Sequence, residues 1–288
     1  MKKLATTGLL CMVVVFVGST ACAQEFSASV GIKAWYNKWE GYLTLEDVES
    51  EDESLLVGPS VKLSYKRFFG GVTYLLSTSD YDYHNNRTYD DPASGASAWA
   101  ENDTSAGRED LDVLVGLMVH PRVGVFAGYK RIVSSDAHID YRSGVEGVDS
   151  GTGQPIELGL TDLRDVELQL SGFAFGVTCN YPLPKLPIVL TANAAYMPNM
   201  RNRTYHVVTE TETEDGAVTE ESFGHGSVNY YQDGYTVELG ATYTLGENIG
   251  LSLGYKYQEI EKDDNVGEFY DSADMEFSGV TFGIDYRF

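Results

Sequence analysis

The sequence predicts an all-β chain, a transmembrane antiparallel up-and-down β-barrel of about ten strands. Three observations carry this. Apolar residues recur at every second position along most of the chain from residue 24 onward. The connections between these alternating segments are short and long by turns. Mean hydropathy is -0.21 and no apolar run after the N-terminus reaches the ~18 residues of a membrane helix, which excludes helical spans and leaves membrane strands open.

The first 23 residues read as an address rather than as structure. Lys2 and Lys3 form a basic start, Leu9 to Val17 a short apolar run, and Ala21-Cys22-Ala23 a small-residue cleavage site. A signal peptide over 1–23 leaves a single barrel domain over 24–288. Ser19-Thr20-Ala21-Cys22 also loosely matches a lipidation box, but lacks the usual Leu, so lipidation of Cys22 is the lesser reading. Cys179 is then the single thiol of the mature chain, which rules out an internal disulfide.

The strands follow in order. The first alternates Phe26, Ala28, Val30, Ile32, Ala34 and Tyr36 with polar or small residues. The second carries Val57, Val61, Leu63 and Tyr65; the third Val72, Tyr74 and Leu76; the fourth Leu111, Val113, Val115, Leu117 and Val119; the fifth Val123, Val125, Ala127 and Tyr129. In the sixth, Val166, Leu168 and Leu170 give way to Phe173, Phe175 and Val177 on the opposite parity, which predicts a bulge near Gly172. The seventh shows Ile188, Leu190, Ala192, Ala194 and Tyr196, the eighth Tyr235 to Leu245, the ninth Ile249 to Tyr257, and the last Val280, Phe282, Ile284, Tyr286 and Phe288. Tyrosines near strand ends (Tyr36, Tyr65, Tyr129, Tyr196, Tyr235, Tyr257, Tyr286) suit interfacial aromatic girdles.

Four connections turn within a few residues, at Lys66-Arg67-Phe68, His120-Pro121-Arg122, Pro182 to Pro187 and Gly246-Glu247-Asn248. The other five, near 39–54, 80–110, 131–165, 199–233 and 259–276, are long loops in this reading. A soluble sandwich would show solvated strand faces and no such regular long/short order. A membrane barrel satisfies every backbone polar group by closing the sheet, and an even strand count puts both termini on the periplasmic side. Eight or twelve strands stay open, since the fourth long connection has room for a further hairpin.

The chain ends Val280-Thr-Phe-Gly-Ile-Asp-Tyr-Arg-Phe288, with Phe282, Ile284, Tyr286 and Phe288 at alternate positions. This ending resembles the assembly signal of Gram-negative outer-membrane β-barrels. The resemblance implies a cell outer-membrane location. Its implied partners are the barrel-assembly machinery, periplasmic chaperones, and the membrane's lipid and lipopolysaccharide.

The opposite parity faces the lumen. It places Lys33, Lys62, Lys130, Lys256 and Arg287 inside with Asp112, Glu167, Glu238 and Asp285. A barrel of about ten strands is narrow, and buried charges persist when paired, so a salt-bridged plug is expected rather than a wide channel.

Among such barrels the enzymatic family is the omptin proteases, which this chain resembles in architecture alone. That resemblance implies an acidic pair in the second long connection and an Asp-x-His pair in the fourth, together activating a water. Asp80 and Asp82, in Asp80-Tyr-Asp-Tyr-His84, stand where the first pair would. The fourth connection offers His206 with no Asp two residues before it, and Asp136-Ala-His138 lies in the third instead. The histidines at 84, 120, 138, 206 and 225 are scattered without triad-like support, so the sequence assigns no catalytic residue. Acidic runs that include Glu49, Glu51, Asp52 and Glu53, and Asp263 with Asp264, carry the hard oxygens that Ca²⁺ or Mg²⁺ prefers. They lack EF-hand spacing, and no other cofactor is implied.

Charge completes the reading. The chain holds 20 Lys+Arg against 43 Asp+Glu, a formal charge of -23, which argues against a nucleic-acid partner. Of the acids, 37 fall in the five long connections, with 8 of the basic residues. The expectation is a monomeric barrel with a largely plugged lumen, a structural anchor that presents an acidic surface to partners. A narrow porin is the alternative, and an omptin-like protease is the third.

Overall fold

The computed structural model describes residues 26–41, 50–79, 81–91, 96–148, 155–214, 217–261 and 275–288. The signal segment read at 1–23 lies outside them. The described chain is β-strand joined by turns: β1 (Phe26–Gly41), β2 (Ser50–Tyr65), β3 (Phe68–Ser77), β4 (Tyr81–Asp91), β5 (Ala96–His120), β6 (Val123–Val148), β7 (Pro155–Pro182), β8 (Ile188–Glu214), β9 (Ala217–Leu245), β10 (Ile249–Ile260) and β11 (Met275–Arg287). Sequential neighbours other than β3 and β4 pair antiparallel, and β11 returns to β1 from Ser29↔Arg287 to Glu40↔Glu276.

The sheet closes through β3 and β5, paired from Phe68↔Leu117 to Leu76↔Glu109. The ring thus bypasses β4, which pairs with the first part of β5 between Tyr81↔Ala106 and Asp91↔Ala96. Eleven strands are described rather than about ten, and the extra one lies in the second long connection, not the fourth. All four short turns fall where the sequence put them, and in three of them Lys66, Lys185 and Gly246 stand at φ 55°, 72° and 65°. Gly246 takes that left-handed angle without a Cβ to clash.

The long connections are the main departure from expectation. Strands β5 to β9 run 25 to 29 residues, against 10 to 16 for β1, β2, β3, β10 and β11. Most of 80–110, 131–165 and 199–233 is therefore a six-strand wall, β4 to β9, that rises from one side of the ring. Hydrophobic alternation misses it for a physical reason. A stretch such as Thr209-Glu-Thr-Glu-Thr213 pairs readily as β-strand, but both its faces meet water, so no apolar period marks it.

Around the ring the outward face is apolar, as the alternation predicts. Ile32, Val115, Phe173, Leu239, Leu253 and Ile284 are each more than half exposed. Strand β7 needs no parity switch at Gly172. Its even residues point inward throughout: Leu168 and Leu170 join an interior cluster, while Ala174 and Thr178 line the lumen below. The bulge sits instead on β8. There Met197–Met200 spans one residue more than the facing Gly234–Gln232, and Asn199 adopts φ 49°.

Small residues inside the ring make room for aromatic rings. A Cβ on Gly176 would lie 2.3 Å from Phe126 Cζ and 2.4 Å from the Ala194 carbonyl oxygen, so neither ring nor backbone can stay in place. Gly176→Val is expected to cost about 1–3 kcal/mol, read by urea titration of the refolded protein. Gly224→Ala is the contrast, since nothing lies within 4 Å of its added Cβ.

Candidate functional site

The inward parity of five strands gathers a layer of charge across the middle of the lumen. Strand β1 supplies Lys33, β5 supplies Arg108, Asp110 and Asp112, β6 Lys130, β9 Glu238 and β10 Lys256. Lys130 and Asp112 face each other across the β5–β6 ladder, and the Lys130 ammonium donates to Asp112 Oδ1 at 2.7 Å. It also stands 3.6 Å from Asp110 Oδ2. Arg108 Nε and Nη2 donate to the two oxygens of Asp110 at 2.7 and 3.0 Å. Two ties cross the lumen. Lys33 donates to Glu238 at 2.7 Å, three strands away around the ring. Lys256 on β10 reaches to 3.9 Å from Asp112 on β5.

This layer is dry. Arg108, Asp110, Lys130 and Lys256 are 4%, 1%, 3% and 6% exposed. Aromatic faces supply part of what water would. The Arg108 guanidinium stacks 3.7 Å from the Phe277 ring centre, and the Lys256 ammonium lies 4.1 Å from that of Trp35. Toward the wall, the layer is capped by two apolar clusters: Trp35, Trp39, Leu56, Leu75 and Phe277, and Ile132, Leu170, Met197, Met200 and Ile260. Buried amides tie the caps to the strands. Asn202 Nδ2 donates to Gln232 Oε1 at 2.9 Å, and Gln232 Nε2 donates to the Glu261 carbonyl at 3.1 Å.

On the short-turn side the lumen is hollow. A cavity of about 700 Å³ is walled by hydroxyls and glycines such as Ser60, Thr73, Thr191 and Ser252, and it reaches the turn rim at Ser64 and Lys66. Its inner end is the charge layer, through Lys33, Lys130, Lys256, Asp112 and Glu238.

Of the lumen charges read from the sequence, Lys33, Lys130, Lys256, Asp112 and Glu238 meet in the layer. Lys62 and Asp285 pair nearer the mouth at 3.9 Å, where the Lys62 side chain is 61% exposed. Arg287 is exposed at that mouth. Glu167 is a correction. It is exposed and lies on the outward parity of β7, because the inward places beside it belong to Leu168 and Leu170.

Sequence reasoning missed Arg108, Asp110 and Trp35. The two charged residues fell inside a stretch taken for a loop, although the even parity of Asp112 runs back through both. Phe282, Ile284, Tyr286 and Phe288 all point outward, and the Phe288 amide donates to the Ala28 carbonyl at 2.9 Å, so the chain end is paired to its beginning. For the cation sites, Glu49, Asp263, Asp264 and the side chains of Glu51 and Asp52 lie outside the described residues. Glu53 accepts from the Tyr36 hydroxyl. Among the described residues no three His, Cys, Asp or Glu gather to hold a metal ion. Asp80 and the side chains of Asp82, His84, Asp136, His138 and His206 also lie outside them.

At the wall-side end of the apolar belt, tyrosine hydroxyls meet carboxylates. Tyr36 donates to Glu53, Tyr74 to Glu109, Tyr196 to Asp233, and Tyr235 and Tyr257 both to Glu259. Asp233 also accepts the Asn199 amide at 2.8 Å, clamping the β8 bulge. The Tyr196 hydroxyl and that amide hold its carboxyl below the usual carboxylate range.

No family model matches the chain, and no curated protein matches it. Solved structures similar to it are outer-membrane barrels. The outer membrane protease OmpT of Escherichia coli aligns at 11% identity over 94% of this chain and 100% of that one, with a TM-score of 0.49. The translocator domain of the autotransporter NalP from Neisseria meningitidis aligns at 10% identity over 99% and 96%, with a TM-score of 0.34. Neisserial surface protein A aligns at 10% identity over 91% and 97%, with a TM-score of 0.32. The chain's own geometry is that of a closed antiparallel β-barrel, apolar outside, with short turns at one end.

Two outcomes follow from this geometry. Asp110→Asn leaves Arg108 and Lys130 short of their shared carboxylate in a dry site, so it is expected to cost about 3–5 kcal/mol in urea titration. Glu167→Gln, on the outward face, is expected to stay within about 0.5 kcal/mol. For Asp233 the folded pKa is the lower one, so its clamp is fully present above the unfolded value of about 4 and fades as pH falls toward the folded value. Exchange of the Asn199 amide, corrected for intrinsic rate, should rise on acidification through that window, and Asp233→Asn should abolish the step.

Proposed function

We propose that this protein is an outer-membrane anchor whose closed barrel carries a one-sided β-wall as a surface for partners, and that it does not conduct freely. The observation that carries the reading is the filled lumen. The charge layer and the two apolar caps occupy the middle of the ring, and Trp35, Leu56, Leu170, Met197, Met200 and Ile260 have no exposed area. A solute would have to break buried ion pairs and part a packed core to pass.

The apolar belt, the tyrosines at its edges and the paired chain ends support membrane insertion with both termini on the periplasmic side. Barrel-assembly machinery and periplasmic chaperones are the biogenesis partners of this reading, and lipid with lipopolysaccharide the surroundings of a monomer. The wall is the part left to meet other molecules. It sets exposed Tyr205, Val207, Val218, Phe223 and Tyr231 beside exposed Glu212, Glu220 and Glu221. That mixture of apolar contact area and negative charge suits a cationic partner, with Ca²⁺ or Mg²⁺ at the acidic connections as a further possibility in the same chemistry. It gives a nucleic acid nothing to hold.

The 700 Å³ cavity is what favours the second reading, a narrow transport barrel that opens by moving the caps. Planar-bilayer recording separates the two. The anchor reading expects a flat baseline from refolded protein across both voltage signs. Reproducible single-channel steps that vanish when Leu170 and Met200 are replaced by Trp would overturn it in favour of the transport barrel.

A further inference from the structure

The short turns carry positive charge on one half of their rim. Lys66 and Arg67 stand in the β2–β3 turn, Arg122 in the β5–β6 turn and Lys185 in the β7–β8 turn, and all four are exposed. Because β3 pairs with β5, these three turns are consecutive around the ring. Backbone hydrogen bonds seat two of them on their neighbours. The Met118 amide donates to the Arg67 carbonyl at 2.7 Å, and the Asn180 amide donates to the Arg122 carbonyl at 2.8 Å. The fourth turn, between β9 and β10, carries an exposed Glu247 instead. Residues 54–79, 113–135 and 168–209, which hold the three basic turns and the strand lengths beside them, contain no Asp or Glu. In a chain of 43 acids and 20 bases, this arc is where positive charge gathers without acids of its own strands to offset it.

Two aromatic contacts fix the depth of the arc. The Lys66 ammonium lies 5.2 Å from the centre of the Tyr65 ring, and the Arg122 guanidinium 4.7 Å from that of Tyr181. Both tyrosines are exposed on the outward face, and Val119, Val123 and Leu186 are exposed at the same end of the ring. Tyrosine rings on a membrane barrel mark the depth at which hydrocarbon gives way to headgroups. Cations resting on those rings therefore stand at the level of lipid phosphates, with the apolar belt directly beside them.

We infer that the arc of Lys66, Arg67, Arg122 and Lys185 binds anionic phospholipid headgroups in the leaflet that meets the short turns. The two arginines offer paired N–H donors to phosphate oxygens, and the two lysines offer point charges. A phospholipid meets both surfaces at once, its phosphate on the arc and its acyl chains on the belt. A soluble acidic protein would use the charges alone and leave the belt beside them unused. The inference rests on the membrane insertion proposed above, and it adds the class of lipid and the half of the ring that holds it.

The test reconstitutes the refolded full chain in phosphatidylcholine vesicles and adds a trace of spin-labelled phosphatidylglycerol or spin-labelled phosphatidylcholine. Electron paramagnetic resonance then reads the motionally restricted lipid at the barrel surface. Phosphatidylglycerol should be preferred at least about threefold. A variant with Lys66→Asn, Arg67→Gln, Arg122→Gln and Lys185→Asn should lose most of that preference; Asn suits the left-handed backbone at 66 and 185. Glu247→Gln, on the opposite side of the rim, should keep it. Equal restriction of the two lipids, or a preference that the four substitutions leave unchanged, overturns the inference while insertion stands. Binding of soluble polyglutamate in place of a lipid preference would overturn it in favour of an acidic protein. No restricted lipid of either kind would overturn insertion and this inference together. Should the fourfold variant fail to fold, salt decides with the wild type. The preference should fade at about 1 M salt, where screening acts within about 3 Å, and a preference indifferent to salt overturns the site.

Discussion

Holding the Lys130 ammonium between Asp110 and Asp112, at 3% exposure, is the interaction on which the interior depends. Taking an ion out of water costs several kcal/mol even after relaxation, and the cost is offset only by close partners in fixed positions. Strand register supplies those positions. Asp112 and Lys130 are direct cross-strand neighbours, and Asp110 lies one inward place further along β5. From there the ties spread outward. Arg108 locks Asp110 and stacks on Phe277, which brings β11 into the arrangement, and Lys256 links β10 to β5 across the lumen. A barrel strand can slide past its neighbour only in steps of two residues without turning its lipid face inward. Here a step of two would also pull apart an ion pair in a dry core, so the layer fixes register as well as filling space.

That explains how much the sequence could disclose. Ring strands were legible because one face meets apolar surroundings and the other a polar lumen, which writes period two into Ile32, Leu253 or Ile284. Turn positions were legible because Lys66 and Gly246 stand between such runs. The wall was not, because a strand with water on both faces has no apolar period to show. Arg108 and Asp110 were lost with it, at the point where β5 passes from ring to wall. Glu167 was misplaced for a related reason. Leu168 and Leu170 look like lipid-facing residues in sequence, yet they are the inward cap. An apolar pair cannot reveal by its own chemistry which of two dry environments it occupies. The bulge was anticipated from that same ambiguity on β7, when the extra residue belongs to β8 at Pro198-Asn199, where Asp233 clamps it.

Three tiers therefore share one ring: a hollow polar end, an ionic middle and a packed apolar cap. Each depends on the next. The caps exclude water from the ion pairs and so strengthen them, while the ion pairs hold apart strands that would otherwise collapse onto the small residues lining the cavity. Glycine, serine and threonine line much of the cavity, with Phe69, Met118 and Phe126 lying over the inward glycines. The fully buried apolar residues gather on the wall side of the ionic layer, and the cavity lies on the other side.

The wall shows the opposite economy. Its strands set Asp103 opposite Asp140 and Glu212 opposite Glu220, like charges at directly facing positions. Such pairs weaken a sheet, and opposite charges there would strengthen it by up to about 1 kcal/mol each. Arg142 relieves one of them through a two-toothed contact with Asp140, at 3.0 and 2.6 Å, but Glu212 and Glu220 are simply exposed to solvent. Inside the ring, by contrast, each carboxylate of the ionic layer has a cation at 2.7 Å. The acids left unmatched on the wall do not serve the fold, and the anchoring role proposed above gives them something to face. Their repulsion falls when a cationic surface covers them, so a partner would stabilise the wall by binding it. Under the anchoring role proposed above, the unmatched glutamates are where a cationic partner would meet the wall.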